Sequence, residues 1–331
     1  MREGKKLHTI VAVVFFLVCI VAAGMLMYGV NKPGDVAENS KPYVAVITKS
    51  TTSAYWKTTF AGANAASTAY NLEISFEGPD NEEDYETQNK LIKEAVENGA
   101  KAIVFSAVDY NGNAEAVNEA VAAGVKVVVI DSAVNSDKIS CSISTDNYQA
   151  GLMVADAVLA KDGDGLKVGI VNFDKNSENG QQREKGFRDG VAEDARIEIV
   201  DAINVISTTE EAKEGTMRML KEHPEINVIV TFNEWTSLGV GYAIQELSLA
   251  EETHVVAFDS NVVSVGMLET GEVDALIVQN PYAMGYLGVE YANMLISGTK
   301  LKETEIVTAT TLVTKENMFE PECQQVLFTF D

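Results

Sequence analysis

The chain is short of the residues on which most covalent and metal chemistry is built. In 331 residues it has three cysteines, Cys19, Cys141 and Cys323. No two stand at metal-ligand spacing, and three cannot form a disulfide framework. Histidine is equally scarce: His8, His223 and His254 are far apart, so an H-E-x-x-H zinc pattern is excluded. Positive charge is also lacking. Lys and Arg total 25 against 49 Asp and Glu, a net charge of −24, which repels a phosphate backbone and argues against nucleic acid as a partner. Glycine-rich nucleotide loops are missing too. Gly239-Val240-Gly241 falls inside an expected helix without a third glycine, and Gly163-Asp164-Gly165 precedes a strand instead of following one. With no nucleophile–base pair either, the sequence calls for no enzyme activity, no metal and no cofactor.

Apolar material is plentiful. Hydrophobic residues make up 46% and charged residues 22%, which excludes disorder, and the length suits two or three packed units. Arg2, Lys5 and Lys6 precede 21 residues without a charge, 10–30. As a helix these span ~31 Å, the thickness of a bilayer core. The run outlasts the apolar stretch of a cleaved signal, since Met25-Leu26-Met27-Tyr28 continues past Ala22 and Ala23, and Val18 before Cys19 is a poor lipoprotein context. The expectation is a cytoplasmic basic segment 1–9, a transmembrane anchor 10–30 with the rest of the chain outside the cytoplasm, and a linker 31–41. A cleaved signal sequence is the competing reading.

Beyond the linker, short apolar runs alternate with helical spacing. Strands are expected at 43–47, 72–76, 102–105, 125–130, 167–173, 197–205, 228–232, 255–258 and 275–279, and a further one at 306–312. Helices are expected at 58–69, 84–97, 114–123, 147–160, 181–191, 207–222, 237–247 and 282–296. Such alternation implies parallel sheets covered on both faces, and ten strands imply two α/β lobes rather than one sheet.

Polar residues collect where the strands end. Lys49, Ser53, Tyr55 and Trp56 follow the first strand; Ser106, then Asp109, the third; Asp131 and Ser132 the fourth. Asn233 and Glu234, Asp259 and Ser260, and Gln279 and Asn280 follow later ones. Each alone reads as a turn or cap residue. Together, at the carboxyl ends of parallel strands, they suit a hydroxyl-rich ligand, with paired carboxylates and amides and an aromatic face.

The chain resembles the type I periplasmic binding proteins of the ribose type over roughly residues 42–315. The resemblance rests on Val44-Ala45-Val46-Ile47 followed by Ser53-Ala54-Tyr55-Trp56, on Val129-Ile130-Asp131, and on Gln182-Arg183-Glu184-Lys185-Gly186-Phe187. It continues in Phe232-Asn233-Glu234, Val256-Ala257-Phe258-Asp259 and Leu276-Ile277-Val278-Gln279-Asn280-Pro281. It implies two Rossmann-like lobes joined by three crossover segments, with 42–145 and 280–308 in one lobe and 146–279 and 309–331 in the other. It further implies a sugar site between them. Tyr55 and Trp56 match an aromatic pair that sandwiches a sugar ring, Asp131 and Asp259 match carboxylates, Arg183 a guanidinium donor, and Asn233 and Gln279 amide ligands. Ser53 stands where the family often has Asn, and Ser106 is similarly placed. Lys49, Ser132 and Ser207 depart from the ribose binders, so the expected ligand is another sugar or polyol. From the residues alone, Arg183 also reads as a solvated helix residue, Trp56 as core packing, and Trp235 as either pocket or cap. Asp131 and Asp259 balance Lys49 and Arg183, which favours a neutral ligand. The partner implied is an ABC importer or, for an anchored receptor, a membrane histidine kinase.

Overall fold

The computed structural model describes residues 41–327. The expected basic segment 1–9, the expected membrane anchor 10–30 and the expected linker 31–41, save its last residue, lie outside the described residues. Among those described, no helix is long and apolar enough to cross a membrane.

Two six-stranded sheets organise the chain. The first contains β1 (Tyr43–Ile47), β2 (Glu73–Glu77), β3 (Ala102–Phe105), β4 (Lys126–Ile130), β5 (Cys141–Thr145) and β11 (Glu305–Thr308), in the order β11-β5-β4-β3-β1-β2, all parallel. The second contains β6 (Leu166–Asn172), β7 (Ile197–Asn204), β8 (Val228–Thr231), β9 (His254–Phe258), β10 (Ala275–Val278) and β12 (Thr311–Thr314), in the order β12-β10-β9-β8-β6-β7. Only β12 runs antiparallel, against β10. The central strands are continuous apolar runs because both of their faces are covered. Val44, Val46, Val104 and Val128 face one core, while Ala45, Ile47, Ile103 and Phe105 face the other. The second sheet divides its residues in the same way.

The helices are α1 (Ala54–Tyr70), α2 (Tyr85–Glu97), α3 (Ala114–Ala122), α4 (Asn147–Leu159), α5 (Glu178–Val191), α6 (Thr209–Glu222), α7 (Glu234–Leu247), α8 (Val262–Thr270), α9 (Pro281–Ile296) and α10 (Pro321–Leu327). The chain passes between the sheets three times: after β5, after β10, and between β11 and β12. The single strand expected at 306–312 is therefore two strands in different sheets, split at Ala309-Thr310.

Two close helix crossings set the lobes' inner geometry. A Cβ on Gly285 of α9 would stand 1.9 Å from the Thr59 carbonyl oxygen of α1, and one on Gly62 would stand 2.1 Å from the Tyr282 carbonyl oxygen. In the other lobe Gly151 of α4 and Gly186 of α5 approach the partner backbone equally closely, at 2.1 Å to the carbonyl oxygens of Arg183 and Tyr148. Missing side chains let these backbones touch. The crossings fix the first turn of α1, which carries Tyr55 and Trp56, and the first turns of α5, which carry Arg183.

Candidate functional site

The carboxyl ends of both sheets face a common cleft, lined by Lys49, Ser53, Tyr55, Trp56, Asp131, Arg183, Asn233, Asp259 and Gln279 of the expected residues. Glu82, Phe173, Glu234 and Trp235 line it as well. Ser106 and Ser132 do not. Ser106 stands behind Asp131 and donates to its Oδ2 at 2.9 Å, and the Ser132 hydroxyl is buried without any partner.

The two aspartates hold equivalent places. Asp131 directly follows β4 and Asp259 directly follows β9, and both adopt left-handed backbone, φ 58° and 67°. Aspartate tolerates this conformation better than most residues, and the kink turns its carboxylate off the strand line. Asp131 accepts from the Tyr55 hydroxyl at 3.0 Å and from Asn179 Nδ2 at 3.3 Å. Asp259 accepts from Gln279 Nε2 at 2.7 Å. Burial raises its pKa from 3.8 to about 7, against the pull of the Arg183 guanidinium and the Gln279 amide.

Arg183 is 1% exposed, so its place in the Gln-Gln-Arg-Glu run does not make it a solvated residue. Its Nε donates to Asn147 Oδ1 at 2.8 Å, one terminal nitrogen to the Phe232 carbonyl at 2.7 Å, and the other to Gln279 Oε1 at 2.7 Å. The plane lies over the Phe258 ring, 4.3 Å from its centroid. Three of the five N–H groups are thus committed, and two remain for a ligand.

Lys49, 2% exposed, reaches from the end of β1 to the other lobe, donating to Ser177 Oγ and, at 3.2 Å, to Asn179 Oδ1. Burial lowers its pKa, while the negative charge of Asp131 opposes the shift. Tyr55 is pushed well above its ordinary value by burial and by the Asp131 carboxylate.

The resemblance implies an aromatic pair that sandwiches a sugar ring. The Tyr55 and Trp56 rings meet edge to face, 87° apart with centroids at 4.9 Å, so they form one corner of the cleft. Phe173, at the end of β6, and Trp235, in the first turn of α7, bring aromatic surface from the second lobe. Trp56 also has a polar tie: its indole N–H donates to Glu82 Oε1 at 2.8 Å. Burial raises the pKa of Glu82, with Lys49 and the indole opposing.

Four carboxylates and two cations therefore line the cleft, not the two and two that the sequence suggested. Glu82 takes two indoles and Glu234 two amides and Asn261, while Asp131 takes Tyr55, Ser106 and Asn179 and lies 3.9 Å from the Arg183 guanidinium; Asp259, with one donor, and Arg183, with two uncommitted N–H groups, keep the most capacity. The walls stand close, around a cavity of about 20 Å³, space for about one water.

Sequence reasoning passed over Glu82, Phe173, Asn179 and Glu234 for different reasons. Glu82 sits in an acidic surface-like run, Glu82-Glu83-Asp84, and Phe173 completes an apolar strand. Asn179 lies ahead of the apolar periodicity of α5. Glu234 stands among the strand-end polar residues, each of which alone reads as a turn or cap residue.

Two lobes with converging strand ends, three chain crossings and a buried polar cleft define a two-lobed ligand-binding protein. The chain belongs to the family described as periplasmic binding protein domain, which matches residues 44–300. It is 25% identical over 225 residues to the ribose import binding protein of Bacillus subtilis, covering 68% of this chain and 72% of that one. A sugar transporter structure from Clostridium phytofermentans is 32% identical with a TM-score of 0.75, covering 82% and 99% of the two chains. A carbohydrate transporter solute binding protein from Agrobacterium radiobacter, in complex with D-arabinose, is 29% identical with a TM-score of 0.83, covering 87% and 99%. These relatives are binding proteins of sugar transport, not enzymes.

Proposed function

We propose that this chain is an extracytoplasmic receptor that closes on a small neutral monosaccharide or cyclic polyol and delivers it to an ABC importer. Residues 42–145 with 280–308, and 146–279 with 309–331, act as the two moving lobes. Residues 10–30 hold the receptor to the membrane. The observation that carries the reading is the unspent hydrogen-bonding capacity of Asp259 and Arg183, buried beside Asp131 where two sets of strand ends converge. Carboxylates accept from ligand hydroxyls, and the guanidinium donates to ring or hydroxyl oxygens. An anionic ligand would face both aspartates in a dry cleft, and a cation would face Lys49 and Arg183; each arrangement is costly at low dielectric. The relatives point the same way, being named for import of ribose and for binding D-arabinose.

A thermal-shift panel of neutral sugars, polyols, sugar acids, amino acids and amines tests this. A cognate ligand at a hundred times its dissociation constant stabilises the fold by ~2.7 kcal/mol. Neutral sugars or polyols should raise the melting temperature. A response confined to amino acids, sugar acids or cationic compounds would refute the charge argument.

A further inference from the structure

The first turn of α7 makes a set of bonds that exist only while the two lobes touch. Glu234 is buried, and its carboxylate leaves its own lobe. Oε1 accepts from the Ala54 amide at 3.2 Å and Oε2 from the Tyr55 amide at 3.0 Å. Those amides open α1 and belong to the donors that any helix start leaves without a partner inside the helix. The next one, Trp56 N–H, is taken by the Ser53 side chain at 3.2 Å. The first turn of α1 contains no acidic residue of its own. Glu234 therefore supplies from across the cleft both the acceptors and the negative charge that the positive end of α1 favours. Asn261, the N-cap of α8, steadies Oε1 by donating from Nδ2 at 2.8 Å.

Trp235, the next residue, reaches across at the same place. Its indole N–H donates to Glu82 Oε1 at 3.3 Å, the same oxygen that takes the Trp56 indole. One lobe thus offers a carboxylate to amides, and the other offers a carboxylate to an indole.

We propose that Glu234 is a positioning residue for the cleft: by capping α1 from the opposite lobe it fixes Tyr55 and Trp56 in the closed geometry, and with the Trp235–Glu82 bond it forms a reciprocal latch that holds the lobes shut. The proposal rests on the reading that the lobes close over a ligand. The latch itself is made of protein groups and is measurable without one. Opening returns the carboxylates, the two amides and the indole to water, so the latch is worth the difference between protein and water partners. For hydrogen bonds to a charged group that difference is about ten- to a hundredfold in the closed-to-open ratio.

The test is amide hydrogen exchange of the full chain in detergent, without added sugar, read by mass spectrometry over the peptide containing Ala54 and Tyr55. Glu234→Gln keeps the shape but turns one acceptor into an N–H₂ group facing an N–H. Exchange at these two amides should speed about tenfold or more, with protection of β1, β4 and β9 unchanged. Trp235→Phe removes the other half of the latch and touches neither amide directly, so a purely local role for Glu234 predicts no change there. The latch predicts several-fold faster exchange. Trp56 and Trp235 are the only tryptophans in the chain. Their emission should move to the red and become more open to acrylamide quenching in Glu234→Gln. Protected amides in either variant, unchanged emission in Glu234→Gln, or faster exchange spread evenly through both cores would overturn the proposal. Failure of every sugar in the thermal panel would strike the functional reading alone.

Discussion

Asp259 holds a proton more tightly in the folded chain than in the unfolded one, and losing it is predicted to weaken the fold. In the folded chain burial holds its pKa at about 7, with the charges of Glu234 and Asp131 adding to the rise and Arg183 and Gln279 resisting it. In the unfolded chain the carboxyl returns to its ordinary value of 3.8. Between those two values the folded state binds a proton that the unfolded state does not, so stability falls as pH rises through about 4 to 7 and levels off above. At 1.36 kcal/mol per pH unit, the interval from 3.8 to about 7 corresponds to ~4 kcal/mol. Asp259→Asn removes the titration while keeping an acceptor for Gln279, and asparagine tolerates the left-handed backbone at this position. Glu82 and Glu178, also raised by burial, contribute with the same sign. Lys49, lowered by burial, acts in reverse: its stability is regained as pH rises through its folded value toward 10.5. These groups are present in both proteins and largely cancel in the comparison. Urea unfolding of wild type and Asp259→Asn from pH 4.5 to 8 should give curves that diverge by about 3 kcal/mol, since part of the effect is already spent at pH 4.5, with the variant the more stable at pH 8. Parallel curves would show that Asp259 is not held protonated by its surroundings.

Two further predictions concern packing. Gly186→Ala places a Cβ 2.1 Å from the Tyr148 carbonyl oxygen and should cost about 1–3 kcal/mol or more, lowering the melting temperature and loosening Arg183 one turn earlier, whereas Gly266→Ala in α8, with nothing within 4 Å, should stabilise by up to ~1 kcal/mol. Calorimetric melting of the pair decides this, and equal shifts would undo the account of the α4–α5 crossing. Ser132→Ala deletes a buried hydroxyl that has no partner and lies off the cleft wall, so it should be neutral or stabilising by up to ~1 kcal/mol with no change in ligand response. A lost ligand response in this variant would return Ser132 to the site.

The cleft's polar chemistry depends on helix starts that apolar periodicity does not report. Helices expected from 58, 181 and 237 begin at Ala54, Glu178 and Glu234. The early turns hold Tyr55, Trp56, Asn179, Glu234 and Trp235, residues placed toward the cleft instead of a core stripe. Their type follows the ligand side of the helix, so a 3.6-residue apolar repeat begins only after them. Helix α8 was missed for a related reason: Val262, Val263 and Val265 give no one-sided stripe, and its start is set by the Asn261 capping box.

What the sequence by itself determined was the local and the repetitive: the apolar runs of β1, β3, β4, β8, β9 and β10, their alternation with helices, and hence two covered parallel sheets with polar residues at the strand ends. These features follow from burial on both faces and are written within a few consecutive residues. Tertiary structure alone decided which groups meet. Arg183 is inward because Gly151 and Gly186 let α4 and α5 touch; Glu82 belongs to the cleft because two indoles reach it; and Glu234 serves a helix that begins 180 residues earlier. Each of these depends on the distance between segments far apart in the chain, a quantity set by the packing of whole lobes and absent from any local pattern.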